Sequence, residues 1–173
     1  MTIGHSTRTL DELVELLALN QVESLVDVRA APGSRRMPHF AKAALEFSLP
    51  GRGIAYTHMP ELGGHRTARP DSINTGWRNA SFRAFADYMQ GDAFRVALDA
   101  LVEKSRTRPT AIMCAEAVPW RCHRSLISDA LTVRGVEVRH ITGKSSPSLH
   151  SLTPFARVEN GRISYPAADT LPM

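Results

Sequence analysis

The chain has 173 residues, of which 43% are hydrophobic, and a formal charge of +4 from 21 basic and 17 acidic residues. This length and composition predict one globular domain, and the charge favours anionic ligands only mildly. No run approaches the ~18 consecutive apolar residues of a membrane span, and the first residues lack the pattern of a signal peptide. Two cysteines are too few for a disulfide scaffold. We therefore expect a reduced, cytoplasmic protein with no membrane segment.

Strand and helix patterns alternate through the first part of the chain. A short strand is predicted at residues 2–4, and Thr9 and Glu12 then form a capping box that begins an amphipathic helix. The nearly continuous apolar run at 24–28 predicts a strand that is buried on both faces, as in a parallel sheet. A loop rich in arginine follows. The next predicted elements are a short helix at 41–47 and a third strand at 54–58.

The second part of the chain opens with residues 60–79, its longest irregular segment, which is typical of a functional lid or a disordered stretch. Ser81 is expected to cap the helix that follows, and a further helix leads to a strand at 110–113. After a loop and another helix, a fifth strand is predicted at 136–141. The pair Asn160–Gly161 between alternating residues predicts a two-residue hairpin.

This alternation predicts an α/β fold of three layers, with a mostly parallel sheet of about five strands and helices on both faces. We assign residues 1–141 to this single domain and residues 142–173 to a C-terminal extension with a β-hairpin. In such a sheet, ligands bind outside the carboxyl ends of the strands. The ionisable side chains that follow predicted strands are His5, Asp27, Arg29, His58, Glu61, Cys114, Glu116 and His140.

Both cysteines lie within residues 113–125, between an apolar strand and a helical pattern. A loop that enters a helix presents backbone N–H groups and a positive dipole end, which favour anions. Cys114 lies where phosphatase and rhodanese loops place a nucleophilic cysteine. Those loops have five residues between the cysteine and an arginine, whereas six residues separate Cys114 from Arg121, and Pro119 lacks an N–H donor. A buried, inert Cys114 is the alternative interpretation.

The second cysteine, Cys122, lies beside Arg121, His123 and Arg124. Positive charge and the helix dipole would favour its thiolate, whereas the alternative is a helix residue that faces the sheet. A redox pair with Cys114, or a metal site with His123, is a further alternative. The spacing lacks the short pairs of structural zinc sites, so we assign no metal ligand. The cofactor stays unassigned.

Two pairs of charged residues are candidates for binding or for scaffold. Arg121 and Arg124 are three residues apart, so on a helix they would share a face and clamp a phosphate or carboxylate. Surface arginines, or a salt bridge to Glu116 or Asp27, are the alternative. Asp27 and Arg29 lie on the same side of a strand, and a buried Asp27 needs such a partner. Catalysis and structural pairing both stay open for Asp27.

Four motifs occur in order along the chain. They are the sequences TIGHS at 2–6, VDVR at 26–29 with PGS at 32–34, PELGG at 60–64, and CAE at 114–116 leading to CHR at 122–124. Over roughly residues 2–141 these motifs resemble the bacterial domain of unknown function numbered 488 (DUF 488). The resemblance implies a single Rossmann-like α/β domain and no established activity. The family's motif residues fall here on His5, Ser6, Asp27, Arg29, Glu61, Cys114, Glu116, Cys122, His123 and Arg124.

These observations predict an enzyme or ligand-binding domain for a small anionic substrate, phosphorylated or nucleotide-like, at the carboxyl edge of the sheet. The expected catalytic residues are Asp27, Cys114 and Glu116. The expected anion- or substrate-binding residues are His5, Ser6, Arg29, Glu61, Arg121, Cys122, His123 and Arg124. The alternatives are a nucleic-acid-associated module that uses the basic loops, and a cysteine-dependent redox or metal-binding protein. The reaction type and the oligomeric state stay unassigned.

Overall fold

A mostly parallel sheet forms the centre of the computed structural model, which describes residues 1–33 and 35–168. Its strands are β1 (Thr2–Gly4), β2 (Ser24–Asp27), β3 (Ala55–His58), β4 (Thr110–Cys114), β5 (Arg139–Ile141) and β6 (Ser148–Leu149). Their order is β3-β2-β4-β1-β5-β6, and only β6 runs antiparallel to its neighbour. Ser34 of the second motif and residues 169–173 of the predicted extension lie outside the described residues.

Five α-helices occur in the described ranges. They are α1 (Leu10–Leu19), α2 (Lys42–Ser48), α3 (Ala80–Tyr88), α4 (Asp92–Thr107) and α5 (Arg124–Val133). The predicted capping box begins α1, because the backbone N–H of Glu12 donates to Thr9 Oγ1 and that of Thr9 donates to Glu12 Oε2. The prediction that Ser81 caps α3 is wrong. Asn79 caps it instead, since its side-chain oxygen accepts the N–H groups of Ser81 and Phe82. None of these helices is long and apolar enough to cross a membrane.

Two apolar clusters surround the sheet. Residues of α1 and α2 pack with Ile3, Leu25 and Met113 in one cluster. Residues of α3, α4 and α5 pack with Val26 and Ile112 in the other. Because successive strand residues point to opposite faces, the two clusters lie on opposite sides of the sheet. The connections that follow β1 and β2 therefore run to one face of the sheet, and the connection that follows β4 runs to the other face.

The strand order places the end of β4 in a crevice. The prediction of an α/β protein with a mostly parallel sheet is confirmed, and the sheet has six strands because β6 adds to the edge of β5. Strand β4 lies between β2 and β1, whereas in the dinucleotide-binding order β1 lies directly beside β2. The connections after β4 and after both of its neighbours diverge to opposite faces. Such a divergence opens a crevice at the carboxyl ends of the strands.

The C-terminal segment contains a second, two-stranded sheet, with β7 (Arg157–Glu159) antiparallel to β8 (Arg162–Ser164). Asn160 and Gly161 form its turn with φ values of 50° and 74°, which is the left-handed conformation that such a turn requires. Tyr165 is buried in the cluster that contains α5. Its hydroxyl donates to the carboxylate of Asp129 at 2.9 Å. The segment that follows β8 is thereby attached to α5.

Candidate functional site

A cavity of about 730 Å³ opens at the carboxyl ends of β2 and β4. Its wall is formed by residues 29–31, 64–67, 81–82, 114–116 and 121–123. The wall carries three arginines, two histidines and one acidic residue. These are Arg29, Arg66, Arg121, His65, His123 and Glu116. The cavity therefore lies at the divergence described above, and its wall is predominantly basic.

The loop after β4 is attached to the end of β1. The backbone N–H of His5 donates to the carbonyl of Cys114 at 3.0 Å, and that of Ser6 donates to the next carbonyl at 2.9 Å. A Cβ added to Gly4 would lie 1.8 Å from the carbonyl oxygen of Glu116, so only glycine allows this close approach. The sequence Gly4–His5–Ser6 thus acts through its backbone, which holds the cysteine loop in place.

Both thiols and one imidazole nitrogen meet at the bottom of this loop. The Sγ atoms of Cys114 and Cys122 and a ring nitrogen of His123 all lie within 4.8 Å of one another. The Nδ1 atom of His123 is 3.6 Å from Cys122 Sγ and 4.0 Å from Cys114 Sγ. Its Nε2 atom is 3.0 Å from the carbonyl oxygen of Val28. Because a carbonyl only accepts, Nε2 carries a proton, and in the neutral form of the ring Nδ1 would present its lone pair to the two sulfurs.

The two thiols differ in acidity. The thiol of Cys114 donates a hydrogen bond to the sulfur of Cys122, which lowers the pKa of Cys122 and raises that of Cys114. Burial raises the pKa of Cys114 further. The backbone N–H of Arg124 also lies 3.5 Å from Cys122 Sγ. Within the pair, the thiolate is therefore favoured on Cys122 rather than on Cys114.

Asp27 lies beneath the cavity wall in a closed group of hydrogen-bonded side chains. Its Oδ1 accepts from Arg29 Nε at 2.8 Å, and its Oδ2 accepts from Arg29 Nη2 at 2.6 Å and from the Tyr56 hydroxyl at 2.7 Å. Burial lowers the pKa of His5 to about 4, so its neutral ring accepts from Arg29 Nη1 at 3.2 Å. We call Asp27, Arg29, His5 and Tyr56 the Asp27 cluster. The predicted pairing of Asp27 with Arg29 is present, and the carboxylate is used to position that arginine.

The structure separates the two arginines that were expected to clamp an anion together. Arg121 ends a short 3₁₀ helix (Pro119–Arg121), is exposed and lines the cavity. Arg124 begins α5, is 1% exposed and donates to the carbonyl of Glu116 at 2.6 Å and to Thr2 Oγ1 at 3.2 Å. The 3₁₀ helix precedes α5, so the helical spacing assumed for the pair does not apply. Of these two arginines, only Arg121 lines the cavity.

Two further predicted residues lie outside the cavity wall. The side chain of Glu61 is exposed, and its carbonyl oxygen accepts from Arg66 at 2.8 Å and from the Tyr88 hydroxyl at 2.7 Å. Ser6 contributes its backbone to the loop after β4, as described above. The predicted site residues that do line the cavity are Arg29, Cys114, Glu116, Arg121, Cys122 and His123.

The irregular segment 60–79 supplies cavity residues that the predicted site did not contain. His65 and Arg66 line the wall, and the Arg66 guanidinium lies 3.6 Å above the Tyr88 ring. A Cβ added to Gly64 would lie 2.7 Å from His123 Nδ1, so this glycine packs directly on the imidazole. In the sequence, the pair Gly63–Gly64 followed by His65 and Arg66 is the signal that could have identified this part of the cavity wall. Asn74 attaches the far end of the segment, because its amide donates to Asp87 at 2.8 Å.

An aromatic cavity of about 360 Å³ adjoins the basic one. Trp77 and Trp120 line it, and it shares Phe82, Glu116 and Arg121 with the larger cavity. Trp120 is 69% exposed, although large aromatic side chains are usually buried. The two cavities together therefore combine cationic groups with exposed aromatic faces.

Fold and site define an α/β protein with a mostly parallel sheet and a basic, thiol-containing cavity at the strand ends. The family described as "Domain of unknown function DUF488" matches residues 9–131, which is most of the chain. The protein belongs to this family, as the four sequence motifs predicted. Comparisons with curated proteins and with solved structures gave no match.

Proposed function

We propose that the protein binds a small anionic ligand, phosphorylated or nucleotide-like, in the cavity at the carboxyl edge of the sheet. It would act on this ligand as an enzyme or serve as its binding domain. The basic cavity wall is the observation that carries the proposal. Of its three arginines, Arg29 is balanced by Asp27, so Arg66 and Arg121 outnumber the single carboxylate of Glu116. A concave, positively charged crevice favours anions.

Arg121 is the residue best placed to contact the anion. Its side chain is exposed, and it has no hydrogen bond or ion pair with any side chain within residues 1–33 and 35–168. An unpaired guanidinium suits a phosphate or carboxylate, which it can bind through two parallel N–H groups. Arg66 is committed to the carbonyls of its own loop, so it contributes charge rather than free donors.

The adjoining aromatic cavity supports the nucleotide-like form of the ligand. An anionic group beside Arg121 would place the rest of the molecule near Phe82, Trp77 and Trp120. Aromatic faces stack on nucleobases and contribute about 1–3 kcal/mol per base in single-strand binding proteins. A phosphate linked to a flat ring is therefore the class of ligand that matches both cavities.

Glu116 and Cys122 are the groups that we propose for chemistry on the ligand. Both line the cavity, Glu116 as an exposed carboxylate and Cys122 as the more acidic thiol. Cys114 would act through Cys122 by donating its hydrogen bond. Asp27, although expected to be catalytic, would act as a positioning residue, because its carboxylate contacts Arg29 and does not line the cavity.

We also propose that the domain has a Rossmann-like arrangement of three layers and that the protein is cytoplasmic. Apolar clusters on opposite sides of the sheet support a Rossmann-like arrangement of three layers. Free thiols at Cys114 and Cys122 support a reducing compartment, for which the cytoplasm is the expected location.

Calorimetric titration with inorganic phosphate, nucleoside monophosphates and uncharged nucleosides tests the proposal. We expect the monophosphates to bind more tightly than either phosphate or nucleoside. Arg121→Ala should lower the affinity for the monophosphates about 10-fold or more, because a hydrogen bond to a charged group is lost. Arg108→Ala is the matched control, since this exposed arginine lies just before β4, at the opposite edge of the sheet.

Two outcomes would contradict the proposal. One is the absence of binding by every member of the panel at low ionic strength. The other is equal loss of affinity in Arg121→Ala and Arg108→Ala, which would indicate nonspecific attraction by net charge. Binding of DNA or RNA that falls steeply with salt would instead favour the nucleic-acid-associated alternative.

A further inference from the structure

We infer that Cys114, Cys122 and His123 form a binding site for a thiophilic divalent metal ion of the zinc type, with a fourth coordination position open to the cavity. This inference goes beyond the proposed anion binding and does not depend on it. It rests on the positions of three ligand atoms, on the hydrogen bond that orients the imidazole, and on a buried positive charge beside the sulfurs.

The separation of the ligand atoms fits a tetrahedral ion. Bond lengths of about 2.3 Å to sulfur and about 2.05 Å to nitrogen imply about 3.6 Å between a sulfur and a nitrogen ligand. The Nδ1 atom of His123 lies 3.6 Å from one sulfur and 4.0 Å from the other. All three atoms lie within 4.8 Å of one another. Small side-chain rotations would therefore bring them onto one ion.

The imidazole is already held in the tautomer that a metal requires. Its Nε2–H donates to the carbonyl of Val28, which leaves the Nδ1 lone pair facing the sulfurs. Metal-binding histidines usually make such a hydrogen bond with the nitrogen that does not coordinate. The ring is also packed between Gly64 and Phe85, whose ring centre lies 5.0 Å from that of His123. The ligand is therefore oriented before any ion binds.

A buried, positively charged residue adjoins the cysteines, since the backbone N–H of Arg124 lies 3.5 Å from Cys122 Sγ. Arg124 is 1% exposed and forms no ion pair with any carboxylate of the described chain. A buried charge needs compensation, and the hydrogen-bond partners of this guanidinium are the neutral Thr2 hydroxyl and Glu116 carbonyl. Two thiolates, one divalent ion and one guanidinium sum to a single positive charge. That charge would favour an anionic group or hydroxide as the fourth ligand.

The fourth coordination position is accessible from the cavity. All three ligand residues line the cavity wall. No fourth His, Cys, Asp or Glu belongs to the cluster among residues 1–33 and 35–168. Three protein ligands with an open position are typical of catalytic zinc sites, whereas structural sites have four. The open position lies in the same wall as Arg121 and Glu116.

Cobalt(II) titration of the chelator-treated, reduced full-length protein tests the inference, because cobalt reports its ligands by absorption. We expect one equivalent to bind with a thiolate-to-cobalt charge-transfer band and the visible bands of a tetrahedral ion. Zinc should displace it and raise the melting temperature. Cys114→Ser, Cys122→Ser and His123→Gln should each weaken cobalt binding by more than the roughly 10- to 100-fold that loss of an outer-shell partner costs. Circular dichroism confirms that each variant is folded.

Two substitutions sharpen the assignment of His123. His65→Gln is the matched control, because His65 is an exposed histidine in the same cavity wall, and the cobalt spectrum should not change. Gly64→Ala keeps all three ligands but places a Cβ 2.7 Å from Nδ1. It should weaken cobalt binding about 10-fold, as loss of a supporting contact does. Equal losses in His65→Gln and His123→Gln would overturn the ligand set.

The inference and the proposed function can fail separately. Arg121→Ala should lower monophosphate affinity while the cobalt spectrum stays the same. Wild-type protein that keeps both thiols reduced and shows no thiolate-to-cobalt band would overturn the metal site and leave anion binding standing. Formation of a Cys114–Cys122 disulfide under mild oxidation, with no cobalt bound by the reduced protein, would overturn it in favour of a redox pair.

Discussion

The carboxyl ends of β2 and β4 lie side by side and both carry ionisable groups, yet their side chains are used in opposite ways. At the end of β2, the Asp27 cluster satisfies itself, because each polar atom of the carboxylate already has a donor. At the end of β4, the sulfurs and the His123 nitrogen line a cavity together with Glu116 and Arg121. Charged residues at a strand end therefore indicate a ligand-binding site only where their polar atoms are not already bonded within the protein.

Asp27→Asn should give the largest effect on stability. It removes one partner of a buried ion pair and leaves the Arg29 guanidinium uncompensated, which costs about 3–5 kcal/mol. Urea unfolding measures this change. Tyr56→Phe is the control, because it removes one hydrogen bond from the same carboxylate and should cost about 1 kcal/mol. Equal losses in the two variants would show that the ion pair is not what stabilises the end of β2.

Asp129→Asn should give the next largest effect, in a second closed group that resembles the Asp27 cluster. Asp129 is fully buried and accepts from His150 Nε2 at 2.8 Å, from the Thr153 hydroxyl at 2.7 Å and from the Tyr165 hydroxyl at 2.9 Å. The neutral amide cannot accept all of these hydrogen bonds, so we expect a loss of about 2 kcal/mol. Limited proteolysis should cleave the segment after β6 first. Uniform cleavage along the chain would contradict this.

Acid should destabilise the protein through its buried histidines. Burial lowers the pKa of His140 to about 4, as it does for His5. Because the unfolded chain has the higher histidine pKa, it takes up protons first, and stability falls as the pH decreases from about 6.5 toward 4. Each histidine should remove about 2 kcal/mol by pH 5.

Urea unfolding at several pH values measures that loss. His140→Gln should reduce the dependence on pH, although the variant loses hydrogen bonds to Thr2 and His150 and is less stable at pH 7. An unchanged pH dependence in this variant would show that the pKa of His140 is the same in the folded and unfolded protein, and would contradict the prediction.

Substitutions at the end of β4 should have the smallest effect on stability. Arg121→Ala and Glu116→Gln change exposed side chains and should alter the free energy of unfolding by less than about 0.5 kcal/mol. Chemical denaturation beside the ligand titrations measures both properties on the same samples. A loss comparable to that of Asp27→Asn would remove the contrast between the two strand ends.

Several elements were predictable because their signals are local. The capping box of Thr9 and Glu12 begins α1, and Asn160–Gly161 forms the hairpin turn. Buried strands appear as apolar runs whatever surrounds them. The cap of α3 was assigned wrongly, because Asn79 and Ser81 are both good capping residues and only the backbone path selects between them.

The site was harder to predict, because its members are distant in sequence. Gly64 and Arg66 come from a segment with no periodic pattern, and only the folded chain places Gly64 against His123 and Arg66 in the cavity wall. Arg121 and Arg124 were expected to act together, but one is exposed and the other is buried. Helical spacing predicts a shared face only where the helix includes both residues.

The sequence by itself determined the family, the alternation of strands and helices, and the position of the chemical groups at strand ends, since these depend on motifs and local periodicity. Only the tertiary structure decided which groups are available. The loop between β4 and α5 folds back so that Cys114, Cys122 and His123 meet without the short spacing of a metal motif. Distant contacts also close the Asp27 cluster with Tyr56 and His5, so ionisable groups form scaffold at one strand and a cavity wall at the next. Burial and hydrogen bonding make that distinction, and both depend on contacts between distant parts of the chain.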